Sequence, residues 1–196
     1  MMNTTQKNGM VPRGMFIIFI FTLLGLAIGV DEPSYAVGND NQPTFTVGDR
    51  LPDATLIGFH GKSVRLTDTQ SRVKLISIVP QLNTPVCDEQ THHFSEQNAG
   101  LDRTVEIITL STNPSDDQAA FAKKAGISNI TFLSDAPSFE FGKRTGLLLP
   151  THRILHRAVI VADADNIIRY VQLVPMGDLP DFAAAYDAAR RLAAAR

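Results

Sequence analysis

Val73–Val79 reads VKLISIV, β-branched at Val73, Ile76, Ile78 and Val79, almost unbroken in apolar character and closed by Pro80. A strand with one face in water alternates apolar and polar residues. This one does not, so it must be covered on both faces, as a central strand of an α/β sheet is. Val105–Leu110 (VEIITL) repeats the pattern. Between the two lies Val86–Asn98, which is compatible with a helix, and a helical crossover joins parallel strands.

The rest of the chain alternates in the same way. Thr44–Val47, Ala54–Ile57 and Ser63–Arg65 read as short strands of an N-terminal hairpin region. Ser115-Asp-Asp-Gln118 has the form of a capping box opening a helix that runs to Lys123 and Lys124, with Gly126 as its stop. Ile130–Leu133 is a short strand. Arg157–Val161 and Ile167–Val171 flank the turn Asp163–Asn166, and Phe182–Leu192 is a closing helix with Ala183, Tyr186, Ala189 and Leu192 on one stripe. A parallel start, an antiparallel end and helices on both faces predict a thioredoxin-like α/β/α sandwich with a mixed central sheet. With 196 residues, 44% of them apolar, the chain fills one such domain and not two.

The N-terminus stands apart. Gly14–Val30 is an uncharged, mostly apolar run preceded by Lys7 and Arg13 and followed by Asp31 and Glu32. Cations, then an apolar stretch, then small residues at Ser34 and Ala36 describe a secretory signal cleaved before Val37. An uncleaved membrane anchor is the rival: at about 1.5 Å per residue the run spans about 25 Å, against a hydrocarbon core of about 30 Å. A buried helix of the fold is a third reading. The first two send the C-terminal part outward. The expected organisation is residues 1–36 as signal or anchor, 37–43 as a polar linker and 44–196 as the globular domain, exported to the extracytoplasmic side.

Charge and cysteine content exclude several functions. Lys and Arg number 18 against 20 Asp and Glu, so no basic excess attracts nucleic acid. One cysteine, Cys87, rules out an internal disulfide, a paired-cysteine redox motif and a zinc-thiolate cluster. It leaves a nucleophile or a core filler. Thr84 suits an N-cap and Pro85 the first helical position, which puts Cys87 in the first turn of the helix after the central strand. Free backbone N–H groups, the positive end of the helix dipole and the Thr84 hydroxyl would there favour the thiolate, the form that attacks.

Pro80-x-x-x-Thr84-x-x-Cys87 resembles the peroxidatic motif of peroxiredoxins. Asn83-Thr-Pro-Val-Cys87, followed by Gln90, Thr91 and Phe94, resembles the thiol peroxidase branch of that family. The resemblance runs from about Thr44 to Ala195 and includes Gly61-Lys62, Val64-Arg65-Leu66 and Arg157-Ala-Val-Ile-Val161. It implies that Cys87 attacks the peroxide O–O bond and becomes a sulfenic acid. Pro80 would shield the site, and Thr84 and Arg157 would position the peroxide and stabilise developing charge. No cofactor or metal is implied. The partners implied are a peroxide and an external thiol, either a thioredoxin-like protein or a small thiol; a homodimer is left open.

Three positions depart from that pattern. Gln81 and Asn83 stand where the branch carries Ser and Asp, and Ala122 follows Phe121 where the branch carries its resolving cysteine. A one-cysteine cycle is therefore expected, with a redox sensor that oxidises without turnover as the alternative. Weaker signals are His152 and His156 at helical spacing, His156 as a long-range partner of Cys87, the phosphate-loop imitation Gly58–Ser63 and the glycosylation sequon at Asn129. For these the bland readings, irregular chain and a hairpin turn, are preferred.

Overall fold

The computed structural model describes residues 43–69 and 72–195. The expected leader and residues 37–42 of the linker lie outside the described residues. Along the described chain come β1 (Thr55–Ile57), β2 (Ser63–Arg65), β3 (Val73–Ile78), α1 (Pro85–Glu96), β4 (Val105–Ser111), α2 (Ser115–Ala125), β5 (Thr131–Ser134), α3 (Glu140–Thr145), β6 (Leu148–Leu149), β7 (Ile154–Leu155), β8 (Ala158–Ala162), β9 (Ile168–Leu173) and α4 (Phe182–Ala194). Seven strands form one sheet in the order β2-β1-β5-β4-β3-β8-β9. β3 runs parallel to β4, with Leu75 opposite Ile107, and antiparallel to β8, with Leu75 opposite Val161.

Every residue of β3 is buried, as its composition requires. Alternation sorts its side chains between two cores. Leu75 joins Ile107, Val159 and Val161 beneath Phe94 of α1, Phe121 of α2 and Ala185 and Tyr186 of α4. Ile76 and Ile78 join Ile108, Leu110 and Ile160 on the other face, closed by Phe45, Leu51, Leu155 and Phe141 of α3. Lys74, fully buried, donates to Asn166 Oδ1 at 3.0 Å, in the turn between β8 and β9. α4 locks onto α1: the His93 ring stacks on Phe182 at 3.6 Å, and the Tyr186 hydroxyl donates to the His93 carbonyl at 3.0 Å. Burial pushes the His93 imidazole below its ordinary range.

The differences from the sequence reading have local causes. Thr44–Val47 is no strand. Its neighbours bond outward (Thr44 N–H to the Thr145 carbonyl, Gly48 N–H to the Ile168 carbonyl), and only Phe45 is buried, as a plug over the second core. The capping box does not form. Pro114 takes the N-cap place and Ser115 is already helical. Gln118 turns inward instead, donating to Ser111 Oγ at 3.0 Å and the Leu133 carbonyl at 3.1 Å, because polar groups at the ends of β4 and β5 need a partner more than a solvated helix end does.

α3 and the β6–β7 hairpin had no expectation attached. Asp135 builds this segment: its two carboxylate oxygens accept from Phe141 N–H and Gly142 N–H, both at 2.8 Å. Glycine fits closely at 142: a Cβ there would stand 2.6 Å from Leu155 Cδ2 and 3.0 Å from Leu148 Cβ, so a larger residue forces those side chains to shift. Burial nevertheless raises the Asp135 carboxyl to about 6.

The weaker signals take their bland forms. Residues 150–153 are the turn of the β6–β7 hairpin, so His152 and His156 share no helix. In Gly58–Ser63, residues 58–62 form the turn between β1 and β2, and Ser63 opens β2 opposite Ile57. The Asn129 amide is tied to Ser95 and Asp102. No helix among the described residues is long and apolar enough to cross a membrane.

Candidate active site

The site forms where β3 stops. Val79 N–H still bonds to the Leu110 carbonyl, and Pro80, buried, ends the pairing. Leu82 is buried as a plug, its N–H held by Asn113 Oδ1 at 2.8 Å. Asn83 adopts a left-handed φ of 67°, which Asn tolerates better than most residues, and this turns the chain into the helix. Thr84 is the N-cap in extended conformation and Pro85 the first helical residue, as the sequence predicts. Cys87 lies in the first turn with 1% of its surface exposed.

Arg157 arrives by topology. β8 runs antiparallel to β3 and pairs Ala158 with Ile78, so the residue preceding β8 falls beside the end of β3. Its carbonyl accepts from Val174 N–H at 3.0 Å, which fixes the backbone. The Arg157 side chain is 2% exposed. Nη2 donates to Cys87 Sγ at 3.3 Å and Nη1 to Gln90 Oε1 at 2.5 Å. Gln90, fully buried one turn along α1 from Cys87, donates in turn to Ser77 Oγ at 2.8 Å.

Two features make this arrangement chemically pointed. Among the described residues no carboxylate bonds the Arg157 guanidinium; its partners are a neutral amide and the sulfur. A buried cation without an anion is costly, and a thiolate at Cys87 is the group on hand to offset it. Arg157 Nε is also buried with no hydrogen-bond partner, leaving an unused donor at the site. Such a site places a cation and its donors against the sulfur, where they can be aimed at an oxygen bound beside it.

Thr84 differs from expectation in detail. Its hydroxyl donates to the Gln81 carbonyl at 3.0 Å and makes no capping bond, because the turn at Asn83 brings that carbonyl beneath it. Pro80, Thr84, Cys87 and Arg157 thus gather at one end of the sheet, with the Thr84 hydroxyl engaged by the Gln81 carbonyl. The sequence reading missed the roles of Gln90 and Ser77; the helical spacing of Gln90 from Cys87 was the available signal. His156 Nδ1 lies against the Arg157 carbonyl at 3.2 Å and makes no bond to Cys87. Among the described residues no group of three or more His, Cys, Asp or Glu is arranged to hold a metal ion.

Comparison with known proteins gives the family of the chain. Over 161 residues the chain is 36% identical to a thiol peroxidase of Listeria innocua, covering 82% of this chain and 94% of the relative. It is 37% identical over 146 residues to a thiol peroxidase of Staphylococcus aureus, covering 74% and 88%. Among solved structures, a peroxiredoxin-like protein from Aquifex aeolicus superposes with a TM-score of 0.68 at 30% identity, over 78% of this chain and 90% of that one. The thiol peroxidase from Chromobacterium violaceum, at 24% identity and a TM-score of 0.65 over 81% and 95%, shares the fold. The Redoxin family model matches residues 46–188, which include the end of β3, the first turn of α1 and Arg157. The chain belongs to the Redoxin family.

Proposed function

We propose that this protein is a thiol-dependent peroxidase that reduces hydrogen peroxide or organic hydroperoxides through Cys87 in a one-cysteine cycle. The observation that carries the reading is the buried Arg157 guanidinium, without an acidic partner, donating to Cys87 Sγ at 3.3 Å. Relatives named as thiol peroxidases support an enzyme over a sensor.

In the first step the Cys87 thiolate attacks one peroxide oxygen. The S–O bond forms, the O–O bond breaks, and the departing oxygen leaves as water or an alcohol after taking a proton. Arg157 is placed to offset charge on that oxygen, and the Thr84 hydroxyl joins it by rotating off the Gln81 carbonyl. Pro80 walls the pocket. In the second step an external thiol condenses with the sulfenic acid, giving a mixed disulfide and water. A further thiol, or a dithiol of the thioredoxin type, then releases Cys87 by exchange. Cys87 is the only cysteine, so every electron for its recovery comes from outside the chain.

The test is intact-protein mass after one equivalent of peroxide, with and without a sulfenic-acid trap. One added oxygen, converted by the trap to an adduct on the Cys87 peptide, is expected. An unmodified Cys87 refutes the reading. Export belongs to the same proposal on the strength of residues 1–36. A reporter active only outside the cytoplasm, fused after Asn41, should be active; an inactive fusion overturns export.

A further inference from the structure

A groove of about 530 Å³ opens between α1 and α2, lined by Thr84, Pro85, Asp88 and His92 on one side and Phe121 and Lys124 on the other. Three observations give it a use. First, it borders the turn that carries Cys87: Thr84, Pro85 and Asp88 surround that residue in sequence, and Phe121 both lines the groove and packs in the same apolar cluster as Cys87. Cys87 itself is 1% exposed, so a reductant must wait beside it until the turn opens. Second, the volume falls in the ~300–1,000 Å³ range of small-molecule sites. Third, the charges in the groove are unequally matched. Asp88 lies 3.7 Å from His92 Nε2, and His92 Nδ1 lies 2.7 Å from Glu96. Lys124 is exposed and makes no ion pair or hydrogen bond among the described residues.

We propose that this groove seats the reducing thiol, a low-molecular-weight compound whose carboxylate is held by Lys124 and whose carbon chain lies on Phe121. The proposal rests on the one-cysteine cycle above. The seated thiol attacks the Cys87 sulfenic sulfur, an S–S bond forms, the S–O bond breaks, and the hydroxyl leaves as water with the thiol proton. A dithiol then attacks this mixed disulfide. It is oxidised to its own disulfide while Cys87 and the small thiol are both released reduced.

Three thiols are the probes: mercaptopropionate (anionic), mercaptoethanol (neutral) and cysteamine (cationic). Each is added to protein already oxidised by one equivalent of peroxide, and loss of trappable sulfenic acid is followed, with rates normalised to each thiol's thiolate fraction. The parent should prefer the anionic thiol, and that preference should shrink as salt is raised. Lys124→Glu should lower the anionic-to-neutral rate ratio by about thirtyfold, the order expected for reversing one unit charge near contact in water, and Lys124→Arg should restore it. An anionic-to-neutral ratio that is the same in Lys124→Glu and the parent overturns the proposal. A chain that forms no sulfenic acid fails at the mass measurement, before any thiol is added, and that result ends the peroxidase reading together with this one.

Discussion

Gln90→Met isolates what the buried amide does for Arg157. Gln90 is fully buried between two partners, accepting from Arg157 Nη1 at 2.5 Å and donating to Ser77 Oγ at 2.8 Å. Methionine fills nearly the same volume, so no sizeable cavity opens and the loss is one of polar partners. The bond from a charged donor contributes about 1.5–3 kcal/mol and the neutral one about 1 kcal/mol, so the variant should lose about 3 kcal/mol of stability. The kinetic effect is separate. With Nε unpartnered, the Gln90 amide is, among the described residues, the only side-chain oxygen bonded to the guanidinium. Once that acceptor is gone, the group is held by the sulfur alone.

Removing an aimed donor outright costs about 100-fold or more in rate. A guanidinium that is present but loosely held should cost less, about tenfold in the second-order rate of Cys87 oxidation. Stopped-flow consumption of the thiol under excess peroxide measures the rate, and urea unfolding measures the stability. Ser77→Ala in the Gln90→Met background should cost less than in the parent, since its partner is already absent. If Gln90→Met loses stability but oxidises at the parental rate, Gln90 is a core residue and the positioning argument is wrong.

Thr84→Val and Arg157→Met should each slow Cys87 oxidation by about 100-fold while the domain stays folded, as circular dichroism would show; parental rates in both would remove the proposed donors from the mechanism. Ala122, in the same apolar cluster as Cys87, stands where the family resemblance places a second thiol. Ala122→Cys should therefore yield, after one equivalent of peroxide, a product two protons lighter with a peptide crosslinked to Cys87, whereas persistent sulfenic acid would refute that alignment. For Asp135 the folded carboxyl titrates near 6, above its ordinary 3.8. The folded state thus binds the extra proton between those values, and stability falls as pH rises from about 4 to about 6, by up to about 3 kcal/mol. Asp135→Asn should flatten that slope in urea titrations across the window; an unchanged slope would clear Asp135 as its source.

The parts of this site that were legible before the structure are those coded locally. The unbroken apolar run of β3 requires cover on both faces, Pro80 stops it, and Thr84 with Pro85 starts the next helix, so Cys87 is placed in a first turn by its immediate neighbours alone. Thr44–Val47 shows the limit of such reasoning: its alternation is that of a strand, yet strand formation needs a partner edge, and the chain uses the segment to plug a core instead. Gln118 fails as a capping residue for a related reason: Ser111 and the Leu133 carbonyl, at sheet ends that local spacing does not describe, claim its amide. The Arg157–Gln90 bond is harder still. It joins residues 67 apart in the chain, and it exists because β8 returns antiparallel beside β3 and delivers Arg157 to the strand end from which α1 departs. Spacing can put Gln90 on the Cys87 face of a helix, but only the sheet order decides that a buried cation waits there. That cation, with no carboxylate bonded to it among the described residues, is the ground on which Cys87 is proposed as a reactive cysteine rather than an inert buried thiol.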